Sequence, residues 1–250
     1  MTTVQNRRPS IGRRATGRPR PDVGDRSIRT ASLTAGIGLL AMAILAVFAI
    51  LVVLDGLVTP GDAVRTMEAI AASEGLFRSG VVCLAMVAVL DIVVAAALFH
   101  LFAPVDRVAS MFAAWLRLAY ATVFLVGIGM LAGVLPLSDD PEQVVQGINA
   151  FYDVYNAGLI LFGAHLMAIG YLAYRSATVP RVIGVVCLVA GAGYLIDRFG
   201  TLLLADYSLN IAAFTGPGEI ALGFWLLIKG VRSSSPAGPP VPADRTTTAI

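Results

Sequence analysis

The sequence predicts an all-α, polytopic transmembrane helical bundle, and three observations carry that prediction. Of 250 residues, 57% are hydrophobic and only 14% charged, with a mean hydropathy of +0.80; a soluble domain is roughly half apolar and about a quarter charged. The apolar residues gather in six blocks of about 20 residues, the length that crosses roughly 30 Å of hydrocarbon as a helix. Positive charge is also unevenly shared between the segments that join these blocks.

Composition excludes several classes. Cys83 and Cys187 both lie inside apolar blocks, where a cysteine is a small core residue rather than part of a disulfide framework. The two histidines, His100 and His165, argue against a multi-histidine metal site. No catalytic or cofactor-binding motif is present, so no catalytic residue, cofactor or metal is expected.

Residues 1–30 form an arginine-rich tail with eight arginines, from Arg7 to Arg29, and prolines at Pro9, Pro19 and Pro21. With almost no apolar content it is expected to be disordered. Arg13-Arg14 is not read as an export signal, because Leu33–Leu54 is longer than a signal-peptide core of about 7–15 residues. A polybasic run beside a membrane helix sets topology and attracts anionic lipid headgroups; no nucleic acid is expected as a partner.

The first span, Leu33–Leu54, ends at Asp55-Gly56. Thr59-Pro60-Gly61-Asp62 then reads as a helix start, with threonine as cap and proline at the first position. Val64, Met67, Ile70 and Ala71 follow at helical spacing, which predicts a short amphipathic helix on the outer surface. The second span is Gly80–Phe102 with Asp91 near its middle, and Pro104-Val105-Asp106-Arg107 is a tight inner turn. The third, Val108–Leu135, carries Arg117. Asp140-Pro141 predicts the next helix start; Phe151, Tyr152 and Tyr155 read as an interfacial aromatic belt, and the fourth span runs to Tyr174 with His165 inside it. The fifth, Val182–Ala205, is rich in small residues such as Gly184, Gly191 and Gly193, which let backbones approach closely. Asp197 lies in its outer half. The sixth, Leu209–Lys229, is interrupted by Gly216-Pro217-Gly218, with Glu219 directly after the break. Starting at Pro217 it would reach Val231, about 22 Å, too short to span. The predicted crossing is therefore kinked or broken at Pro217. Residues 233–250, with four prolines, form a second disordered tail. Residues 31–232 make up the membrane domain.

With the N-terminus inside, the inner segments hold the eight tail arginines, Arg107, Arg175, Arg181, Lys229, Arg232 and Arg245, and the outer ones only Arg65 and Arg78. This bias places both termini in the cytoplasm of a plasma-membrane protein.

Ionisable groups in hydrocarbon cost about 2.5–3.5 kcal/mol each on insertion scales and mark functional sites by default. Asp91, Arg117, His165, Asp197 and Glu219 fall within roughly 15 Å of depth at 1.5 Å per residue, on five different spans. They form the candidate polar site. One reading is charge pairing that staples the bundle; the other is a ligand or proton site beside a broken helix, as transporters use.

Several short motifs are familiar together: Phe77-Arg78-Ser79-Gly80 leading to Asp91, Arg117-Leu118, Phe162-Gly163-Ala164-His165, Gly170-Tyr171-Leu172-Ala173-Tyr174-Arg175-Ser176, Pro180-Arg181-Val182-Ile183-Gly184, Gly193-Tyr194-Leu195-Ile196-Asp197, and Gly218-Glu219 before Trp225. In this order, over roughly 31–232, the chain resembles the bacterial multi-pass family called domain of unknown function 4386. The resemblance implies a six-helix membrane domain and no activity. The expected function is a small transporter-like or ligand-sensing bundle in the lipid bilayer, its small-molecule ligand unidentified. The alternatives are a structural or assembly protein with internally paired charges, or an intramembrane lipid-modifying enzyme.

Overall fold

Helices follow the apolar blocks because lipid offers the backbone no hydrogen-bond partner, so each segment must satisfy its own N–H and C=O groups. The computed structural model describes residues 23–135, 140–204, 206–209, 211 and 218–232. Among these residues there are helices and no strand. Helix α1 is Val23–Val47, continued by a wider π-helical stretch, Phe48–Leu54, and a last turn, Asp55–Leu57. Then come α2 (Ala63–Ala72), α3 (Glu74–Phe102), α4 (Arg107–Ala132), α5 (Pro141–Arg175), α6 (Arg181–Leu203) and α7 (Gly218–Arg232).

Among the described residues, five helices are long and apolar enough to cross a membrane: Ser27–Leu57, Glu74–Phe102, Arg107–Ala132, Pro141–Arg175 and Arg181–Leu203. Their outward faces carry exposed Ile44, Val89, Phe112, Leu125 and Val189, surface that belongs against lipid rather than water. The sixth crossing expected over Leu209–Lys229 is represented by the 15 residues of α7. Gly216 and Pro217 of the expected break, and the two tails 1–22 and 233–250, lie outside the described residues.

Several boundaries differ from expectation. Helix α1 begins at Val23 rather than near Ala31, because a nucleated helix propagates into adjoining residues at little cost. Thr59 is not a helix cap. Pro60-Gly61 turns the chain, with Gly61 at φ +79° and the Asp62 N–H donating to Thr59 O at 3.1 Å; this is the type II turn that proline at its second position and glycine at its third favour. Asp62 then caps α2, accepting the Arg65 N–H at 2.9 Å. Thr66 and Ile70 are buried, and α2 packs on α5.

The Asp140 cap is as expected. Pro141 takes the first position of α5, and Asp140 Oδ1 accepts the backbone N–H groups of Glu142 at 3.1 Å and Gln143 at 3.2 Å. The Gln143 side-chain amide donates to Asp140 Oδ2 at 2.6 Å. That side chain first, then the backbone N–H groups, hold the carboxyl below its ordinary value. A lowered folded pKa means the cap's contribution is fully present above pH about 4 and is lost as pH falls through the folded value. The protection factors of the Glu142 and Gln143 amides, taken against their intrinsic exchange rates, are therefore expected to fall on acidification below pH 4. In Asp140→Asn, which keeps a capping oxygen, that pH response should vanish; an unchanged response would assign it elsewhere.

The long helices pack in chain order, α1 on α3, α3 on α4, α4 on α5, α5 on α6 and α6 on α7, and α7 returns to pack on α1. The result is a closed ring of six. The closure is tight: a Cβ on Gly36 of α1 would lie 2.6 Å from the Leu227 backbone nitrogen of α7. Arg29 Nε donates to Gly230 O at 3.2 Å, so the two ends of the helical domain meet at one end of the ring. The α5–α6 contact is closer still. A Cβ on Gly184 would stand 2.5 Å from the Tyr174 nitrogen, and one on Gly191 2.6 Å from Gly163 O. This is the close backbone approach that the small residues of the fifth span predict.

Candidate functional site

The ring turns most of its ionisable side chains of mid-helix depth onto one point. Arg117, on α4, is 0% exposed and is the largest fully buried side chain among the described residues. Such a group persists only if its charge is answered. Arg117 Nη2 pairs with Asp91 Oδ1 of α3 at 2.8 Å, and Nη1 pairs with Glu219 of α7. Nη1 also donates to His165 Nε2 of α5 at 3.0 Å, while Nη2 lies 3.9 Å from the Met42 sulfur of α1. One guanidinium thus contacts side chains from four other helices, which its planar fork of donors allows and a lysine ammonium would not.

The hydrogen bonds fix the histidine's state. Arginine has no acceptor, so His165 Nε2 must accept. Its Nδ1 lies 2.8 Å from Ala113 O, a group that cannot donate, so Nδ1 carries the proton. His165 is therefore a neutral imidazole in this arrangement.

Asp91 is 0% exposed, and neither of its carboxylate oxygens makes a hydrogen bond of good geometry among the described residues. The 2.8 Å approach of Oδ1 to Arg117 is an ion pair with poor hydrogen-bond alignment. Asp91 and Glu219 both line a cavity of about 140 Å³ inside the ring. Its walls include Met42 and Ala46 of α1, Val87 of α3, and four rings: Tyr120 of α4, Tyr155 and Phe162 of α5, and Tyr194 of α6. All six ring helices reach it. Ala46, Val87, Tyr120, Tyr155 and Phe162 lie along their helices on the α2 side of Met42, Asp91, Arg117 and His165. The cavity therefore reaches from Asp91 and Glu219 of the charged cluster toward the end of the ring that carries α2.

Four of the five expected site residues thus come together: Asp91, Arg117, His165 and Glu219. Asp197 is fully buried but has other partners. It accepts from the Tyr207 hydroxyl at 2.6 Å and from the Ile211 N–H at 3.1 Å, both in the segment after α6. Arg117 forms its ion pairs with Asp91 and Glu219 instead. Neighbouring Arg198 donates to Asn156 Oδ1 at 2.5 Å. Gly218 of the expected helix break starts α7 against α6: a Cβ there would lie 3.0 Å from Val186 O, and the Cys187 thiol lies 3.5 Å from Gly218 O.

The aromatic wall is the part that sequence reasoning missed. Phe151 and Tyr155, expected at an interface, point inward: Phe151 is fully buried and stacks on Tyr155 with centroids 6.0 Å apart. Tyr120 and Phe162 lie 5.0 Å apart, and Phe162 meets Tyr194 edge-on at 5.4 Å. The signal was present as helical spacing. Tyr120 follows Arg117 by three residues and Phe162 precedes His165 by three, which puts each ring on the face of its ionisable neighbour.

Comparison with known proteins gives a family without naming a chemistry. The profile of the family described as "Domain of unknown function (DUF4386)" matches residues 34–230, most of the chain. The chain belongs to the DUF4386 family. A relative from Archaeoglobus fulgidus, described as "Uncharacterized protein", is 32% identical over 155 residues, covering 62% of this chain and 86% of the relative. This DUF4386 chain therefore has similarity reaching into an archaeon. No solved structure matches it. Asp91, Arg117, His165, Asp197 and Glu219 all fall inside the family region.

Proposed function

We propose that this DUF4386 protein is a small transporter-like or ligand-sensing membrane protein that binds its ligand in the cavity lined by Asp91 and Glu219. One observation carries the reading: a cavity in the ring's interior is bounded by two carboxylates that share a single guanidinium. A staple alone has no use for the open volume beside it. In this reading the chain crosses a plasma membrane six times with both termini in the cytoplasm, as the arginine and lysine bias favours. The cavity end of the ring, with α2, then faces outward. The arginine tail lies against anionic lipid headgroups. Asp197 acts from the outer side, tying the segment after α6 to the ring.

The test uses Glu219→Gln. With that substitution Arg117 and Asp91 remain a one-to-one pair, so folding is expected to survive. Reconstituted protein should show pH-dependent transport, or ligand-dependent thermal stabilisation across a screen of small metabolites, that the variant loses while its own unfolding midpoint stays close to wild type. A variant that responds like wild type sinks the site assignment.

The ion pairs themselves also favour a second reading, a structural protein whose polar groups only neutralise one another. Neutralising the whole cluster, with Asp91→Asn, Arg117→Met and Glu219→Gln together, discriminates. A staple should tolerate the change and keep function, whereas a binding site should not.

A further inference from the structure

Resting on the reading that the cavity binds a ligand, we propose that the ligand is a small organic monocation, an amine or quaternary ammonium, seated between Tyr120, Tyr155, Phe162 and Tyr194 with its charge answered by Asp91 and Glu219.

The charge count comes first. The cluster holds two carboxylates and one guanidinium, and His165 is neutral by its hydrogen bonds. With both carboxylates ionised the site carries one uncompensated negative charge at a depth where such a charge is costly. A bound monocation removes that excess; an anion would double it, and a neutral solute would leave it.

The second observation is the buried carboxylate itself. Asp91 is fully buried, lines the cavity, and has Oδ2 without a partner among the described residues. Buried polar atoms of this kind are normally satisfied, so an orphan on a residue that lines a cavity points to a missing partner.

The third is the wall. A hard metal ion such as calcium prefers six to eight oxygen ligands, whereas this cavity is walled largely by rings and aliphatic side chains. Aromatic faces attract cations through the ring quadrupole and recognise quaternary ammonium groups in particular. The same wall already holds one cation in this way, with Arg117 Cζ 5.9 Å from the Phe162 centroid. The size agrees: about 140 Å³ is the room of several waters at about 30 Å³ each, which suits a cation of a handful of heavy atoms and excludes a phospholipid.

The experiment is calorimetric titration of the full-length protein in nanodiscs with choline and tetramethylammonium, beside 3,3-dimethyl-1-butanol, the uncharged carbon isostere of choline. Saturable binding of the cations, with no binding of the isostere, is expected. Tyr194→Leu should weaken binding by about tenfold through loss of the ring face, while Tyr194→Phe, which keeps the ring, should bind nearly as wild type. Glu219→Gln, which leaves the cluster neutral, should abolish it. Equal binding of the isostere, equal stabilisation by sodium chloride, or unchanged affinity in Tyr194→Leu overturns the proposal. So does the absence of binding by both cations. A neutral or anionic compound that binds in a Glu219-dependent manner would overturn the cation class and leave the ligand site standing. If no compound of any charge binds and Glu219→Gln changes nothing, the binding reading itself fails.

Discussion

Arg117→Met should be among the most destabilising single substitutions in this protein, costing about 3–5 kcal/mol, the range for removing one partner of a buried ion pair. Methionine fills much of the same volume, so the loss is electrostatic rather than a cavity effect. It leaves Asp91 and Glu219 facing one another with no cation between them, and it removes the donor that His165 Nε2 accepts from. The readouts are the unfolding midpoint in detergent and the yield of monodisperse protein. The companion variant is the triple change Asp91→Asn, Arg117→Met, Glu219→Gln. It carries no charge at the cluster and should recover most of the stability, because replacing a whole buried ionic group by neutral residues is often close to neutral. Arg117→Lys should fall between, since an ammonium keeps the charge but cannot span the same partners. If Arg117→Met unfolds within about 1 kcal/mol of wild type, below the usual cost of a buried unpaired charge, the guanidinium is not what holds the carboxylates in the ring.

Gly184→Leu should be comparably damaging for a different reason. A Cβ at this position would meet the Tyr174 nitrogen at 2.5 Å, its Cα at 2.8 Å and Gly170 O at 2.9 Å. All three are backbone atoms of α5, so no side chain can swing aside, and the two helices must separate. The expected cost is about 3 kcal/mol, the upper end for overpacking a well-filled interior. Gly129→Leu is the control. That glycine lies on α4, exposed, and a Cβ added there would meet nothing within 4 Å. Its replacement should leave the midpoint within about 0.5 kcal/mol, as for surface changes generally. Separation at Gly184 should also displace Tyr194 on the same helix, so amine binding should fall even in the fraction that stays folded. Equal midpoints for the two variants would mean that α5 and α6 are not in the close contact described.

Depth was legible in the sequence and facing was not. A helix advances by 1.5 Å per residue, so the positions of Asp91, Arg117, His165 and Glu219 within their apolar blocks were enough to place them at one level. Asp197 satisfied the same arithmetic, yet its carboxylate turns to Tyr207 and Ile211. Rotation about a helix axis is set by packing, here by glycines whose contacts emerge only when the helices are side by side. The aromatic residues failed for the same reason. Tyr155 at the start of an apolar stretch reads equally well as an interfacial anchor and as an interior wall until its neighbours Phe124 and Phe151 are known. Local chemistry was legible where it was self-contained, as at the Asp140-Pro141 cap. It misled at Thr59-Pro60-Gly61-Asp62, where the helix start and the tight turn use the same residue types and the glycine's positive φ decided for the turn.

Because α7 packs back on α1 and Arg29 reaches Gly230, the domain has neither a first nor a last stave. Linking residue 232 to residue 27 through a short flexible peptide and opening the chain instead between 135 and 140 should yield a circular permutant that assembles the same barrel of helices. The order in which the staves are synthesised would then be dispensable, and only their adjacency would matter.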